Sequence, residues 1–179
     1  TWNFLHGQPL KEGPNPPKRL EAWRKVYAES VERLGSDLLA LQEVDINLER
    51  SGRTNQCADV AATIDAQWWG FAPSISGTPG VKWRRLKKFE KVVVSNSSEE
   101  SAGSEIDLNA GFYGISIASK VPVKQWLRLE LGRSLIGMPL VVGNANGKFL
   151  PIYVKDEPRV AIAAVLENGW TVINTHLSF

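Results

Sequence analysis

The chain has 179 residues, enough for one sizeable core, and its 43% hydrophobic and 22% charged residues are typical of a globular domain. A formal net charge of +2 excludes a protein that binds polyanions over its whole surface, so any anion site must be local. The single cysteine, Cys57, excludes an internal disulfide and favours a reducing compartment, so we expect a cytoplasmic protein. No apolar run reaches the roughly 20 residues of a membrane-spanning helix.

The first part of the sequence predicts a strand, a helix and a second strand in that order. Residues 1–5 alternate as a strand does, and a loop rich in Gly and Pro follows. Asn15 can cap the helix that comes next, and Gly35 can end it. One face of this helix is apolar, formed by Leu20, Trp23, Tyr27, Val31 and Leu34. Residues 38–44 form the second strand, whose residues 38–41 are apolar on both faces, like a central strand, and this order predicts an α/β domain.

The remainder predicts one more helix and several strands. The helix begins near Thr54, which can cap it, and buries Cys57, Val60, Ala61 and Ile64. Strands are predicted at residues 68–75, 92–94, 111–119, 126–131, 140–142, 149–154, 160–166 and 170–177. The last two flank an Asn-Gly pair, the strongest short signal for a hairpin. We predict a single incomplete domain over residues 1–179, in which residues 76–110 form an insertion or an extended loop.

Three of the predicted strands carry polar side chains at their ends, and the apolar character of these strands does not explain them. They are Asn3, Glu43, and the pair Asn174 and His176. In an α/β sandwich such strand ends can converge on one crevice. Carboxylate and amide oxygens suit Mg²⁺ or Mn²⁺, and an imidazole can bind a phosphoryl oxygen or move a proton. The pattern predicts metal-assisted phosphoester hydrolysis. The structural alternatives are a salt-bridged Glu43 and a hydrogen-bonded core His176.

Four short segments, in this order, resemble the endonuclease/exonuclease/phosphatase superfamily. They are Thr1-Trp2-Asn3, Leu41-Gln42-Glu43-Val44-Asp45, Tyr113-Gly114 with Ser119-Lys120-Val121-Pro122, and Asn174-Thr175-His176-Leu177. The resemblance implies the DNase I-like fold, a layered sandwich of two β-sheets flanked by helices. It covers the N-terminal portion of the family's domain.

The resemblance also implies roles for individual residues. Glu43 and Asn3 would bind a Mg²⁺ or Mn²⁺ ion. His176 and Asn174 would be catalytic at the scissile phosphate, although a structural hydrogen bond is an equally strong expectation for Asn174. Three further residues would bind substrate or hold the metal-binding and catalytic side chains in position: Asp45, Arg50 and Tyr113.

The sequence departs from the family's pattern in its last part. The family's later motifs, a Gly-Asp-Phe-Asn-like stretch and a Ser-Asp-His-like stretch, do not occur in it. We therefore expect a fold whose C-terminal part is missing, with a sheet that a second chain or the missing segment completes. We expect a fragment of a metal-dependent phosphodiesterase, nuclease or phosphatase that is inactive or weakly active alone. The alternative is a non-catalytic phosphate-binding or assembly module derived from the same fold.

A second candidate site is the run of six cations in residues 82–91. Cations interleaved with aromatic rings can bind a phosphate backbone or anionic lipid headgroups. The residues that would do so are Arg84, Arg85, Lys87 and Lys88. The alternative is a solvated β-ribbon. The expected partner is a phosphate-containing substrate, with nucleic acid among the candidates.

Overall fold

A computed structural model describes residues 1–7, 20–96, 106–134, 136–143, 149–154 and 156–177. Its helices are α1 (Leu20–Arg33) and α2 (Gln56–Thr63). Its strands are β1 (Trp2–Asn3), β2 (Leu38–Ile46), β3 (Trp68–Thr78), β4 (Lys82–Arg85), β5 (Val94–Ser95), β6 (Phe112–Ser119), β7 (Val123–Gly132), β8 (Met138–Gly143), β9 (Phe149–Val154), β10 (Arg159–Leu166) and β11 (Thr171–Thr175). Short 3₁₀ helices lie at Leu5–Gly7, Glu49–Ser51, Lys88–Glu90 and Leu108–Ala110.

The strands form two main sheets and a separate hairpin. The larger sheet has the order β1-β2-β6-β3-β4, with β5 also paired to β3. In it β1 runs parallel to β2, whereas the other pairs are antiparallel. The smaller sheet has the order β11-β10-β7, and β8 pairs with β9. These elements confirm the predicted mixed α/β fold of two sheets with few helices.

Two apolar layers hold the fold together. One lies between the helices and the larger sheet, where Val31 and Val60 pack with Leu41 and Phe71. The other lies between the two sheets and includes Ile117, Trp126 and Ile162. Burying one such side chain fully contributes about 1.5–3 kcal/mol relative to exposure. Because β2 supplies residues to both layers, it is the buried central strand that its sequence predicted.

Two β-bulges converge on β6 and shape the surface of the larger sheet. Between Leu41 and Val44 two residues of β2 oppose one residue of β6, and β3 gains one residue between Pro73 and Ile75. Gly114 lies opposite both irregularities. A Cβ at this position would lie 2.2 Å from the Ala72 carbonyl oxygen, so the close approach of β3 requires glycine.

Several boundaries differ from the predictions. Asn55, not Thr54, caps α2, because its side chain accepts a hydrogen bond from the Ala58 amide at 3.1 Å. Leu34 lies beyond the end of α1 and is 52% exposed, so the apolar stripe ends at Val31. The predicted cap Asn15 lies outside the described residues. Predicted strand 92–94 is reduced to β5, and β3 extends past its predicted end.

Part of the predicted insertion is described, and it continues the larger sheet. Residues 76–78 complete β3, and β4 returns antiparallel to them. β5 also pairs with β3. Residues 97–105 lie outside the described residues, so the prediction of an insertion over 76–110 stays a prediction, as does the single-domain boundary.

The smaller sheet leaves an apolar stripe on its outer face. Leu127 of β7 and Ile173 of β11 lie opposite Ala163 of β10, and they are 45% and 68% exposed. Leu129 and Leu131 extend the stripe along β7. The prediction that a second chain or a further segment completes the fold, and so could cover this face, stays a prediction.

No helix within the described residues is long and apolar enough to cross a membrane.

Candidate active site

The carboxylate of Glu43 is presented by the bulge in β2. The strand continues to Ile46, so the prediction that Glu43 stands where the strand leaves the sheet is wrong. Glu43 instead has φ 58° inside the strand, in the left-handed region that a non-glycine residue adopts at a cost of about 1–3 kcal/mol. This conformation is typical of residues that a functional site holds in place.

Asn3 fixes the orientation of the Glu43 side chain. Its Nδ2 donates a hydrogen bond to Glu43 Oε1 at 2.8 Å, and its Oδ1 accepts one from the Leu5 amide at 3.1 Å. The parallel pairing of β1 with β2 brings the two residues together. With its amide oxygen turned to Leu5, Asn3 presents nitrogen to the carboxylate. In this arrangement it orients Glu43, and its predicted role as a metal ligand stays a prediction.

Asn174 ties the smaller sheet to the same bulge. Its Nδ2 donates to the carbonyl oxygens of Leu41 at 2.8 Å and Ser116 at 2.9 Å, which flank the interrupted pairing of β2 and β6. Its Oδ1 accepts from Gln42 Nε2 at 2.6 Å. Asn174 is 3% exposed, and both its amide hydrogens are used. The sequence left two roles open for Asn174, a structural hydrogen bond and catalysis. The observed contacts are structural hydrogen bonds, and the catalytic role of Asn174 stays a prediction.

His176 follows β11 and faces Glu43. Its Nε2 lies 4.0 Å from Glu43 Oε1, beyond hydrogen-bond distance, and the two side chains are 31% and 19% exposed. Burial, followed by the nearby Arg159, lowers the pKa of His176 below its usual value of 6.5, and Glu43 acts in the opposite direction. The lowered pKa favours the uncharged imidazole at neutral pH. It can donate one hydrogen bond and accept one proton.

A buried ion pair between Arg50 and Asp45 lies next to the bulge in β2. Arg50 Nε and Nη2 donate to the two carboxylate oxygens of Asp45, each at 2.8 Å, and Asp45 is fully buried. Burial raises the pKa of Asp45, while Arg50 opposes that rise. The guanidinium carbon of Arg50 lies 5.5 Å from the centre of the Tyr113 ring. Burial, together with the charge of Glu43, raises the pKa of the Tyr113 hydroxyl.

Three residues near the site were not singled out by the sequence. Gln42 bonds to Asn174 and also donates to Thr1 Oγ1 at 2.8 Å. Glu157 precedes β10, and Arg159 is its first residue. The pKa of Glu157 is raised chiefly by burial, with Arg159 opposing the rise. Arg159 lines the crevice of Tyr113 and His176. Gln42 lies within the Leu41–Asp45 segment that carries the family resemblance, so the sequence could have identified it. Arg159 reaches the crevice only through the pairing of the strands.

The cationic run divides between structural and solvent-facing groups. Arg84 Nη1 and Nη2 donate to the two carboxylate oxygens of Glu90, each at 2.7 Å, so its charge is already paired. Lys87 packs its Nζ 5.5 Å from the centre of the Phe89 ring. Arg85 instead lines a cavity on the other side of β4 from these pairs. Anion binding by Arg84, Arg85, Lys87 and Lys88 stays a prediction.

The residues present fit a divalent ion with few protein ligands. Within the described residues no group of three or more Asp, Glu, His or Cys side chains could share a metal ion. Glu43 offers one oriented carboxylate, and Mg²⁺ commonly uses one or two carboxylates and completes its shell with water and substrate phosphate. Such a shell requires little more from the protein than the Glu43 carboxylate, and the binding of Mg²⁺ or Mn²⁺ stays a prediction.

A comparison with protein-family models gives a match over most of the chain. The model of the Endonuclease/Exonuclease/phosphatase family matches residues 1–170. The chain belongs to this family. Membership in the Endonuclease/Exonuclease/phosphatase family confirms the predicted resemblance and the DNase I-like fold. The matched range includes Asn3, Glu43 and Arg159 and ends before Asn174 and His176. Separate searches of curated proteins and of solved structures found no match.

Proposed function

We propose that the crevice between Glu43 and His176 is a site of divalent-metal-dependent phosphoester hydrolysis. The observation that carries the proposal is the left-handed bulge residue Glu43, whose carboxylate is oriented by Asn3 and faces His176 across 4.0 Å. Strained backbone conformations that the surrounding structure holds in place cluster at functional sites. Family membership supports phosphoester chemistry as the class.

The chemistry divides between the two side chains. Glu43 would hold Mg²⁺ or Mn²⁺, which when bound neutralises negative charge that develops on phosphoryl oxygens. The uncharged His176 would donate a hydrogen bond to a phosphoryl oxygen or accept a proton from water. Water oxygen bonds to phosphorus, the phosphorus–oxygen bond to the leaving group breaks, and the leaving group takes a proton. The bond from Asn3 to Glu43 Oε1 limits the rotation of the carboxylate during these steps.

We expect slow turnover from this set of residues. Glu43 and His176 are the two groups to which this proposal gives chemical roles, with Glu157 and Arg159 nearby, whereas efficient phosphoryl transfer uses several charged groups around the phosphate. A preference for diester or monoester substrates depends on loops and is not set by the fold. Phosphate binding without turnover is the competing function, and the small number of acid–base groups favours it.

Metal binding by Glu43 can be tested apart from turnover. We expect Mg²⁺ or Mn²⁺ to raise the thermal midpoint of the wild-type chain and to have no such effect on Glu43→Gln. A ligand at a hundred times its Kd stabilises by about 2.7 kcal/mol. Glu49→Gln is the matched control, because its carboxylate is 89% exposed and lies outside the crevice. Equal stabilisation of wild type and Glu43→Gln would refute the proposed metal site.

Hydrolysis of bis(4-nitrophenyl) phosphate and of 4-nitrophenyl phosphate tests the chemistry itself. We expect slow, metal-dependent release of nitrophenol that is lost in both Glu43→Gln and His176→Ala and retained in Glu49→Gln. Metal binding that depends on Glu43 with no hydrolysis of either substrate would favour the non-catalytic phosphate-binding function.

A further inference from the structure

A cationic cavity lies beside the proposed active site. It opens between the end of β4 and β7 and has a volume of about 200 Å³. A water molecule occupies about 30 Å³ in the liquid, and drug-sized ligands occupy pockets of about 300–1,000 Å³. The cavity therefore has room for one charged group with a few waters. Its size does not fit a whole cofactor.

The charge of the lining is unbalanced. Five cations and one carboxylate, Glu130, line the cavity. Glu130 is shared between Lys91 at 3.0 Å and Arg128 at 3.4 Å. Arg159 is paired with Asp156 at 2.8 Å. The remaining two cations of the lining are Arg85 and Arg133, and both are exposed. The surplus positive charge favours an anion.

Two guanidinium groups in the wall have a buried donor that is not satisfied. The Nε atoms of Arg128 and Arg159 have no hydrogen-bond partner in the described part of the chain. The Arg128 side chain is 10% exposed, and its Nη2 donates to the Pro73 carbonyl at the β3 bulge at 3.1 Å. Both Nε atoms are buried beneath the cavity surface, so these two guanidinium groups act on an anion in the cavity through their charge and their other nitrogens.

The cavity adjoins a small crevice beside His176. Ser74, Pro158 and Arg159 line both, while Tyr113 and His176 line the crevice alone. Because His176 Nε2 lies 4.0 Å from Glu43 Oε1, a ligand bound between these two side chains could extend past Arg159 into the cavity. The second group of such a ligand would meet the surplus of positive charge.

We propose that this cavity binds a phosphoryl group of the substrate other than the one that is hydrolysed. Arg85, Arg128 and Arg133 would bind that group, and guanidinium groups suit phosphate because they donate paired hydrogen bonds. The link to a substrate rests on the proposed function, but the binding of phosphate does not. The second phosphoryl group belongs either to a neighbouring position in an oligonucleotide or to a small phosphorylated molecule. In both cases the arginine side chains of the cavity would bind the negative charge of this phosphoryl group.

Binding of inorganic phosphate, without metal and with EDTA present, tests the cavity independently of hydrolysis. We expect isothermal titration to show saturable binding that falls about tenfold or more in Arg85→Gln/Arg133→Gln, since the variant removes two cations that can donate charge-assisted hydrogen bonds to phosphate. Arg85 and Arg133 are exposed, so the variant should fold. The matched control Lys82→Gln/Arg53→Gln removes two exposed cations outside the cavity and should bind phosphate normally.

Three results would overturn the proposal: no saturable phosphate binding by the wild-type chain, unchanged binding by the cavity variant, or an equal loss in the control variant. Glu43→Gln should bind phosphate like wild type, so a failure of the proposed catalytic site leaves this test intact. Competition between phosphate and a short thymidine oligonucleotide distinguishes the sources. Competition that Arg85→Gln/Arg133→Gln abolishes supports a nucleic-acid substrate, and phosphate binding without competition supports a small phosphorylated molecule.

Discussion

Replacement of Asn174 by alanine tests how the two sheets hold the bulge that carries Glu43. The change removes two hydrogen bonds to the carbonyl oxygens of Leu41 and Ser116, at 2.8 and 2.9 Å, and one from Gln42 at 2.6 Å. Because Asn174 is 3% exposed, water cannot readily replace these bonds without a change in packing. The free energy of unfolding should fall.

The size of the loss follows from the three bonds. A typical buried hydrogen bond contributes about 0.5–1.5 kcal/mol, and a buried group left without a partner costs about 1–3 kcal/mol. Partial relaxation of the bulge and entry of water reduce the total, so we expect Asn174→Ala to cost about 2–4 kcal/mol. Asn174→Asp keeps the size but turns an acceptor towards two carbonyl oxygens. It should cost at least as much near neutral pH.

Urea denaturation followed by tryptophan fluorescence measures this loss as a shift in the midpoint at constant slope. Asn109→Ala is the control, because Asn109 is exposed in a 3₁₀ helix and should change stability by less than about 0.5 kcal/mol. A midpoint for Asn174→Ala equal to that of the control would refute the structural role. Reduced hydrolysis at unchanged stability and metal affinity would show instead that Asn174 contacts substrate.

Three further changes probe the surroundings of the site. Arg50→Met should cost about 3–5 kcal/mol near pH 7, because it leaves the buried Asp45 carboxylate without its cation. Removing Arg50 raises the pKa of Asp45 further above its unfolded value, so urea midpoints should show a smaller deficit as pH falls. Gly114→Ala should cost about 1–3 kcal/mol or more by the same measurement, since its Cβ would meet the backbone of β3. Glu43→Gln should lower the pKa of His176 in an NMR titration, because the lost negative charge was raising it.

Each of these changes has a control or a contrary outcome. Gly80→Ala replaces a glycine with nothing within 4 Å of its Cβ position, so it should cost less than Gly114→Ala. A rise or no change in the pKa of His176 in Glu43→Gln would contradict the 4.0 Å geometry. A deficit of Arg50→Met that does not depend on pH would show that Asp45 stays ionised in the variant.

Sequence spacing predicted the components of the site but not how they are arranged. Asn3, Glu43 and His176 were named from polar residues after apolar strands, and the structure brings them to one crevice. The bulge at Glu43 left no signal, because a bulge depends on the register between two strands that are far apart in the chain. For the same reason the contacts of Gln42 and Arg159 could not be derived from their local sequence.

The sequence alone determined the α/β class, the buried central strand, the Asn-Gly hairpin and the family resemblance, because apolar periodicity and turn residues act locally. Only the tertiary structure decided that Asn174 is fully occupied by hydrogen bonds and that Arg84 is paired with Glu90. It also decided that Arg85 and Arg128 line the same cavity. A side chain's partners are chosen by strand register and by the packing of one sheet on another, and these place residues together that the chain keeps far apart.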